Sequence, residues 1–180
     1  MKIALTGGIA CGKSLLSSYL KELGAELIDA DDIVHELIPA HERARLAKIV
    51  FNDASARRKL EERIHPVVKS RIEAFYAAPL SVTSQTPTVR IAVIPLLFES
   101  HWDKEYDIIC CVKSSREKQI ERMIMTRGYT RDEAEARLAA QMPVDEKAAK
   151  SHYVIVNNQT PEDLKLEAEE FFKWLHRSNY

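Results

Sequence analysis

The sequence predicts an α/β protein in which a parallel sheet of about five strands is flanked by helices. Two observations favour this class. Short apolar segments alternate with segments of helical period along the chain of 180 residues. The apolar segments also lack the alternation of polar and apolar residues that a half-exposed sheet shows, which is expected where helices cover both faces of a parallel sheet. With 46% apolar residues, the chain can bury one core, so a single domain spanning 1–180 is expected.

The first half of the chain predicts a strand, a helix, a strand, a helix and then a long helical segment. Gly24 is suited to end the first helix, and Pro39 ends the second. A break in the long segment is predicted before Pro66, because proline fits well in the first turn of a new helix. The predicted bounds are, in order, 2–6, 13–23, 25–28, 31–38 and 41–78.

The second half predicts three more strands, each followed by helical sequence. Residues 79–88 are polar with two prolines and form the linker candidate. Gly128 separates two helices, and Thr160 is a suitable N-cap for the last helix, with Pro161 in its first position. Strands are predicted at 89–94, 107–112 and 152–156, and helices at 115–126, 130–142 and from 160 to about 176.

Charge and hydropathy exclude several function classes. The chain has 26 Lys and Arg against 27 Asp and Glu, whereas proteins that hold nucleic acid by bulk electrostatics are strongly basic. The longest apolar run, Ile91 to Phe98, is far shorter than the roughly 20 residues of a membrane span. No secretory signal is apparent, and three cysteines, with Cys110 and Cys111 adjacent, make no disulfide framework. We therefore expect a cytoplasmic protein with no nucleic-acid or membrane partner.

A glycine-rich segment carries the strongest chemical signal. Residues 7–14 read Gly-Gly-Ile-Ala-Cys-Gly-Lys-Ser and fit the phosphate-binding pattern G-x-x-x-x-G-K-[ST], between a predicted strand and a predicted helix. Three of the 5 glycines of the chain lie here. In such a loop, backbone N–H groups and the helix N-terminus surround a polyphosphate. Lys13 is expected to reach the β- and γ-phosphates, and the Ser14 hydroxyl to bind Mg²⁺.

Three carboxylates follow the second predicted strand, where ligands gather in open α/β sheets. A carboxylate at this position is able to accept the proton of an attacking hydroxyl. For Asp29 and Asp32 we favour the simpler role of helix capping, and for Asp31 the two roles remain open. The absence of an Asn-Lys-x-Asp motif argues against a GTPase and leaves a small-molecule kinase, another ATPase or a non-catalytic nucleotide binder.

Further segments occur in a specific order along the chain. They are Leu-Thr-Gly-Gly-Ile at 5–9, Ile-Asp-Ala-Asp-Asp-Ile at 28–33, Phe51, Leu-Glu at 60–61, Ile-His-Pro at 64–66, Pro-Leu-Leu-Phe-Glu at 95–99, Tyr-Asp at 106–107, Gln119-x-x-Arg122, Ala-Arg-Leu at 136–138 with Gln141, and Val-Ile-Val-Asn-Asn at 154–158. Together they resemble the dephospho-CoA kinase family over almost the whole chain. The phosphate loop is common to many families, whereas the other segments in this order are far more specific.

The resemblance implies a P-loop kinase that transfers the γ-phosphate of ATP to the 3′-hydroxyl of dephospho-CoA, with Mg²⁺ as cofactor. It implies a reduced helical acceptor-binding lobe at about 32–78 and a helical lid at about 115–142. Between 41 and 71 the sequence has nine Lys or Arg against four Asp or Glu, which is either a solvated helical face or a surface that faces the acceptor's pyrophosphate.

By the same resemblance, catalytic roles fall to the general base, the loop lysine and a lid arginine, which are Asp31, Lys13 and Arg127. The nucleotide and its metal are expected to contact the loop, the lid and the last strand, at Gly8, Ile9, Ala10, Cys11, Gly12, Lys13, Ser14, Leu15, Arg122 and Asn157. The acceptor is expected to contact His65, Leu97, Phe98 and Glu99. The expected state is a monomer or a weak oligomer.

Three departures from the family pattern stand out. The loop has Ala10, Cys11 and Leu15 where the family usually has Gly, Ser and Thr. The stretch between Asp31 and His65 is shorter by roughly a helix, with Pro-Ala-His at 39–41 at the join. The second lid arginine, Arg127, comes one position late, with Thr126 in the expected place. The alternative functions are therefore a kinase for another small metabolite and a nucleotide binder without transfer activity.

Overall fold

A computed structural model describes residues 1–39, 41–43, 45–46, 53–79 and 89–177. Nearly all of the predicted linker at 79–88 lies outside the described residues, as do Ala40 at the join and Phe51. The chain divides into two compact units. The first comprises Met1–Leu27 and Ser81–Tyr180, and the second comprises Ile28–Leu80. Within the described residues, none of the helices has both the length and the apolar character that crossing a membrane would demand.

The sheet has five parallel strands, which confirms the predicted fold class. Their order across the sheet is β2-β3-β1-β4-β5. The central strand β1 is buried along its whole length, and it pairs in parallel with β3 and β4, so that Ile3 lies opposite both Ile91 and Ile108. The strands are β1 Ile3–Gly7, β2 Glu26–Asp29, β3 Arg90–Val93, β4 Ile108–Lys113 and β5 Tyr153–Val156.

Most helices begin and end within a residue or two of the predicted positions. The described helices are α1 Lys13–Glu22, α2 Ala30–Leu37, α3 Ala54–Ala77, α4 Arg116–Arg127, α5 Arg131–Ala139, α6 Val144–Ala149 and α7 Pro161–Arg177, with a 3-10 turn at Asp103–Glu105. Gly24 and Gly128 both adopt the left-handed conformation that suits a residue following a helix. Thr130 and Glu133 form a capping box at the start of α5.

Two sequence predictions about the helices are wrong. Pro66 lies inside the continuous helix α3 rather than after a break. Val68 and Ile72, on the C-terminal side of this proline, are buried, and such packing offsets the lost backbone hydrogen bond. The predicted helix at 130–142 ends at Ala139, and the short helix α6 follows. Pro143 accounts for this difference, because in a helix continued past Ala139 its ring would clash with the Ala139 carbonyl, and it has no N–H to donate to that oxygen.

The core of the first unit forms where α7 and α1 pack against the sheet. Leu164, Ala168, Phe171 and Leu175 lie on one face of α7 and are buried, in the spacing of an amphipathic helix. Leu16 and Leu20 of α1 are also fully buried, and α1 contacts α7. Phe171, Tyr153 and Trp174 form an aromatic cluster beside β5. Burial of each large apolar side chain contributes about 1.5–3 kcal/mol.

Among the described residues of the second unit, two helices pack against each other. Helices α2 and α3 contact each other, and Ile33 of α2 is buried together with Val68 and Ile72 of α3. Arg71 of α3 forms an ion pair with Glu36 of α2. Asp29 caps α2, and Asp53 caps α3 by accepting hydrogen bonds from two backbone N–H groups.

Candidate active site

The segment between β1 and α1 is a tight loop whose shape depends on glycine at its two ends. Gly7 has a φ of 146° and Gly12 a φ of 92°, both in the range that side chains disfavour. A Cβ atom on Gly7 would collide with the backbone of Val112, and one on Gly12 would collide with the Asn157 side chain. The loop therefore lies directly against the ends of β4 and β5.

Ala10 is the strained residue of the loop. Its φ of 56° places a non-glycine residue in the left-handed region. A Cβ atom in this conformation comes close to the following carbonyl oxygen and costs roughly 1–2 kcal/mol. Such strain persists only where the surrounding structure over-determines the conformation, and it is typical of ligand-binding loops.

Side-chain donors engage every carbonyl oxygen from Gly7 to Cys11. The Lys13 ammonium donates to Gly7 O at 2.9 Å and to Gly8 O at 2.8 Å. Three side chains from α4 and from the end of β5 donate to the next three carbonyls: Gln119 Nε2 to Ile9 O at 2.7 Å, Arg122 Nη1 to Ala10 O at 3.3 Å and Asn157 Nδ2 to Cys11 O at 2.9 Å. Since carbonyl oxygens repel an anion, their engagement favours a site for phosphate.

Cys11 lies underneath the loop rather than facing solvent. The residue is fully buried, and burial raises the pKa of its thiol, which also hydrogen-bonds Ser114. Cys111 of β4 is buried as well, and burial, with a smaller contribution from nearby Cys11, raises its pKa to about 11. The Cys11 side chain is therefore part of the support of the loop, and only its backbone is placed to contact a ligand.

The first turn of α1 presents two side chains to solvent. Ser14 and Leu15 are both exposed, immediately after Lys13. The Ser14 hydroxyl is thus accessible to a metal ion held by phosphate oxygens. The Leu15 side chain offers no hydrogen-bond donor, so only its backbone is available to a phosphate.

A cavity of about 320 Å³ opens beside the loop. Gly8 and Ile9 form one wall, Gln119 lies at its side, and Leu138, Met142 and Pro143 from the segment around α5 form another. The cavity is bounded by the loop and by the predicted lid, and it is a concave site of the kind that holds small ligands.

Glu99 is fixed by a buried lysine, Lys147, which no sequence pattern indicates. The Lys147 side chain is fully buried, and its Nζ lies 2.8 Å from Glu99 Oε1 and 2.9 Å from Pro95 O. The Met142 N–H also donates to Glu99 Oε1, at 3.1 Å. In the part of the chain that the structure describes, the other carboxylate oxygen of Glu99 is buried and has no hydrogen-bond partner. Leu97 and Phe98 are buried in the same turn.

The second unit contains the carboxylates that the sequence singled out. Asp29 accepts a hydrogen bond from the Asp31 N–H at 2.8 Å, which confirms its capping role. Partial burial raises the pKa of Asp29, and the charges of Asp31 and Asp32 raise it further. Asp31 and Asp32 are exposed in the first turn of α2, so the capping role predicted for Asp32 is wrong, and its charge complements the helix dipole instead. His65 is half-buried in α3.

Comparison with known proteins decides the family. A family model described as dephospho-CoA kinase matches residues 1–43 and 39–163. This chain belongs to the dephospho-CoA kinase family. A dephospho-CoA kinase of Geobacter sulfurreducens is 38% identical over 192 residues, which cover 94% of this chain and 96% of that protein. Because 192 positions exceed the 180 residues of the chain, that relative has residues that this chain lacks.

Two solved structures share the fold of this chain. The protein TT1252 from Thermus thermophilus superposes with a TM-score of 0.80 and is 27% identical, over 100% of this chain and 98% of that one. A dephospho-CoA kinase from Campylobacter jejuni has the same fold, with a TM-score of 0.70, 24% identity and full coverage of both chains. The family model and the Geobacter relative confirm, at the level of the family, the resemblance drawn from the sequence segments.

The two predicted lid arginines have different surroundings. Arg127 is exposed as the last residue of α4, before Gly128 with its φ of 66°. Arg122, by contrast, is bonded within the protein: its Nη1 donates to Ser114 Oγ at 2.9 Å and its Nη2 to Asn157 O at 3.0 Å. The expected contacts of Arg127, Arg122 and Asn157 with the nucleotide stay predictions.

Two side chains of the site were missed as site residues. Gln119 lies in the cavity wall and bonds the loop, and its only signal in the sequence is its place one helical turn before Arg122. Lys147 had no signal, because a lysine in a short segment rich in Asp, Glu, Ala and Lys is expected to be solvated.

Proposed function

We propose that this protein is a dephospho-CoA kinase, which transfers the γ-phosphate of ATP to the 3′-hydroxyl of dephospho-CoA in the last step of coenzyme A biosynthesis. The observation that carries this proposal is the phosphate loop, with all five carbonyls from Gly7 to Cys11 held by side-chain donors, in a chain of this family. ATP is the phosphate donor, and dephospho-CoA is the acceptor.

The nucleotide is proposed to bind at the loop and at the cavity beside it. Backbone N–H groups of the loop, whose contacting residues run from Gly8 to Leu15, surround the phosphates at the N-terminus of α1. Lys13, which bonds two loop carbonyls, turns its ammonium to the β- and γ-phosphates and neutralises the charge that develops there. The cavity of about 320 Å³ accommodates part of the nucleotide.

Mg²⁺ is proposed to bind through ATP and one protein hydroxyl. Among the described residues, no cluster of three or more His, Cys, Asp or Glu side chains is able to hold a metal ion alone. This fits Mg²⁺, which keeps several waters and is usually bound by substrate phosphates with one or two protein ligands. Ser14, exposed in the first turn of α1, is the proposed ligand. Bound Mg²⁺ supplies charge neutralisation on the transferring phosphoryl group.

Asp31 is proposed as the general base. It follows the carboxyl end of β2, and its side chain is exposed, as a group that must meet a substrate requires. Asp29 already serves as a helix cap and is therefore a weaker candidate. The Asp31 carboxylate accepts the proton of the ribose hydroxyl as that oxygen attacks the γ-phosphate.

The acceptor is proposed to contact a shortened lobe. The family model matches in two segments that overlap at residues 39–43, and the Geobacter relative has residues that this chain lacks. These findings support the deletion expected between Asp31 and His65. His65 and the turn that contains Leu97 and Phe98 are the proposed contacts. Glu99 belongs to the same turn, and its carboxylate is held by Lys147 and by the Met142 N–H.

The test is an ADP-release assay over a panel of acceptors: dephospho-CoA, adenosine, AMP, shikimate and no acceptor. We expect release to depend on dephospho-CoA, and the product to be coenzyme A by mass spectrometry. Lys13→Ala is the inactive control, because it removes a charge at the phosphates and leaves no cavity in the core. Preference for another acceptor would indicate a kinase for a different metabolite, and ATP binding without release would indicate a nucleotide binder.

The shortened lobe predicts how the KM values of the two substrates should differ. Contacts distant from the reacting hydroxyl contribute binding that is shared by ground and transition states, so their loss raises KM more than it lowers kcat. We expect a high KM for dephospho-CoA beside an ordinary KM for ATP. Equal impairment for both substrates would point to the loop or the lid instead.

We propose a cytoplasmic protein that acts as a monomer or weak oligomer without nucleic-acid or membrane partners. Its net charge of -1 supports the absence of a nucleic-acid partner.

A further inference from the structure

Three consecutive carbonyl oxygens of the phosphate loop each accept a hydrogen bond from a different side chain. Two donors, Gln119 and Arg122, lie one turn apart on α4, and the third, Asn157, directly follows β5. We call Gln119, Arg122 and Asn157 the loop clamp. Their bonds to Ile9 O, Ala10 O and Cys11 O measure 2.7, 3.3 and 2.9 Å.

The donors of the loop clamp are themselves fixed. Gln119 is 3% exposed and Asn157 is 6% exposed. Arg122 Nη2 donates to Asn157 Oδ1 at 3.3 Å, which leaves the Nδ2 of that amide directed at the loop. Arg122 Nη1 also bonds Ser114 Oγ, and Ser114 Oγ donates to Asn157 O at 2.6 Å. The guanidinium is thus part of a closed network, and both of its terminal nitrogens are occupied within the protein.

The loop clamp acts on the part of the loop that most needs support. Ala10 holds a left-handed conformation that an alanine disfavours, and Arg122 bonds the carbonyl of that same residue. The carbonyls before and after it are bonded by the other two members. A loop fixed on both sides of its strained residue keeps one shape, and a site that is already in shape binds its ligand without the cost of ordering.

We propose that Gln119, Arg122 and Asn157 are positioning residues that hold the phosphate loop in its nucleotide-binding shape before ATP arrives. Arg122 acts on the loop backbone at Ala10 and not on the transferring phosphate. The consequence for ATP affinity rests on the function proposed above. The consequence for the shape and stability of the nucleotide-free loop does not.

The test is a double-mutant cycle between Arg122→Met and Ala10→Gly. ATP affinity is measured by titration calorimetry without acceptor, and thermal unfolding is measured without nucleotide. Arg122→Met should weaken ATP binding about tenfold, because the loop relaxes and must be restored on binding. Glycine adopts the left-handed conformation freely, so the same substitution should cost clearly less in the Ala10→Gly background. Lys118→Met, which removes an exposed ion pair with Glu121 on the same helix, is the matched control and should change neither measurement.

Conservative variants separate positioning from a catalytic contact. Arg122→Lys keeps the charge but lacks the planar fork that bonds Ala10, Ser114 and Asn157 together, so it should behave like Arg122→Met. Asn157→Ala removes the donor to Cys11 O without adding a charge, so it should weaken ATP binding while the fold survives. The positioning role of the loop clamp therefore stays testable even if Arg122→Met fails to fold.

Two results would overturn the proposal. One is strict additivity of Arg122→Met and Ala10→Gly in both ATP affinity and unfolding. The other is a large fall in kcat at saturating substrates with unchanged ATP affinity and recovery by Arg122→Lys, which would place Arg122 on the phosphate. A wild-type protein that fails to phosphorylate dephospho-CoA contradicts the proposed function alone, since neither arm of the cycle uses the acceptor.

Discussion

The phosphate loop of the first unit and the carboxylates of the second unit present a contrast in how a site is held. The loop has bonds from Lys13 and from the three side chains of the loop clamp, two of which are buried. The carboxylates open helix α2 and are exposed, except that Asp29 is used as a cap. A site built from backbone must be fixed by its surroundings, whereas a base that takes a proton from a substrate must remain accessible.

The same contrast extends to stability. In the first unit, α1 and α7 pack on a five-stranded sheet with many fully buried side chains. In the second unit, two helices pack through a smaller apolar set that includes Ile33, Val68 and Ile72. Substitutions at the loop should therefore affect binding and stability together, and substitutions at the exposed carboxylates should affect rate alone.

Asp31→Asn should have the largest effect. We expect kcat to fall roughly 10²–10⁴-fold, the usual contribution of a positioned general base, with ATP binding and melting temperature unchanged. Asp32→Asn is the matched control, since its carboxylate is the exposed neighbour in the same helical turn. Steady-state kinetics with dephospho-CoA measures kcat for both variants. A larger fall in kcat for Asp32→Asn than for Asp31→Asn would show that Asp32, and not Asp31, is the general base.

Lys147→Met should have the next largest effect, on stability. It leaves the Glu99 carboxylate, already short of one partner, without its buried counter-charge. Loss of one member of a buried pair costs about 3–5 kcal/mol, so denaturant unfolding should show a large fall in the free energy of unfolding. Lys173→Met, at the exposed pair with Glu170, should change little. An unchanged midpoint of denaturant unfolding for Lys147→Met would show that the ion pair with Glu99 does not stabilise the fold.

Arg127→Ala tests the remaining lid arginine. We expect kcat to fall by about an order of magnitude or more, because arginines at a transferring phosphate stabilise its charge. Thr126→Ala should do little, since the Thr126 hydroxyl bonds the helix backbone at Arg122 O. A fully active Arg127→Ala enzyme would show that Arg127 merely complements the helix dipole at the end of α4.

Asp29→Asn should have the smallest effect, a gain in stability whose size depends on pH. Burial raises the pKa of Asp29 in the folded protein, so folding favours the protonated form. The free energy of unfolding therefore falls as the pH rises through this raised pKa. Asparagine keeps the cap without the charge, so the variant should gain roughly 0.5 kcal/mol over the native protein near pH 7, and less near pH 4. Melting temperatures across this range provide the measurement, and a gain that grows toward low pH would contradict the assignment.

The fold was predictable from the sequence because its signals are local. Apolar runs for buried strands and helical periods between them are enough to define a parallel sheet covered by helices. The errors arose where tertiary packing outweighs local preference. Pro66 remains inside α3, where buried residues follow it, and α6 is too short a helix to be recognised by its period.

The candidate site was predictable where chemistry follows a fixed spacing and not where it depends on contacts across the fold. The loop from Gly7 to Ser14 is read directly, and so is the cap at Asp29. The family resemblance assigns Arg122 and Asn157 to the nucleotide, but nothing in their spacing indicates that they bond each other and the loop. Lys147 illustrates the limit most clearly, because only the folded chain brings it to Glu99 and Pro95.

The buried thiol beneath the loop has a consequence for oxidation. Only a thiolate reacts readily with oxidants and alkylating agents, and burial raises the pKa of Cys11, Cys110 and Cys111 alike. All three therefore remain protonated and shielded at neutral pH, although one of them lies within the phosphate loop itself. An exposed cysteine at this position would be open to oxidation. Here the loop should stay chemically inert for as long as the chain stays folded.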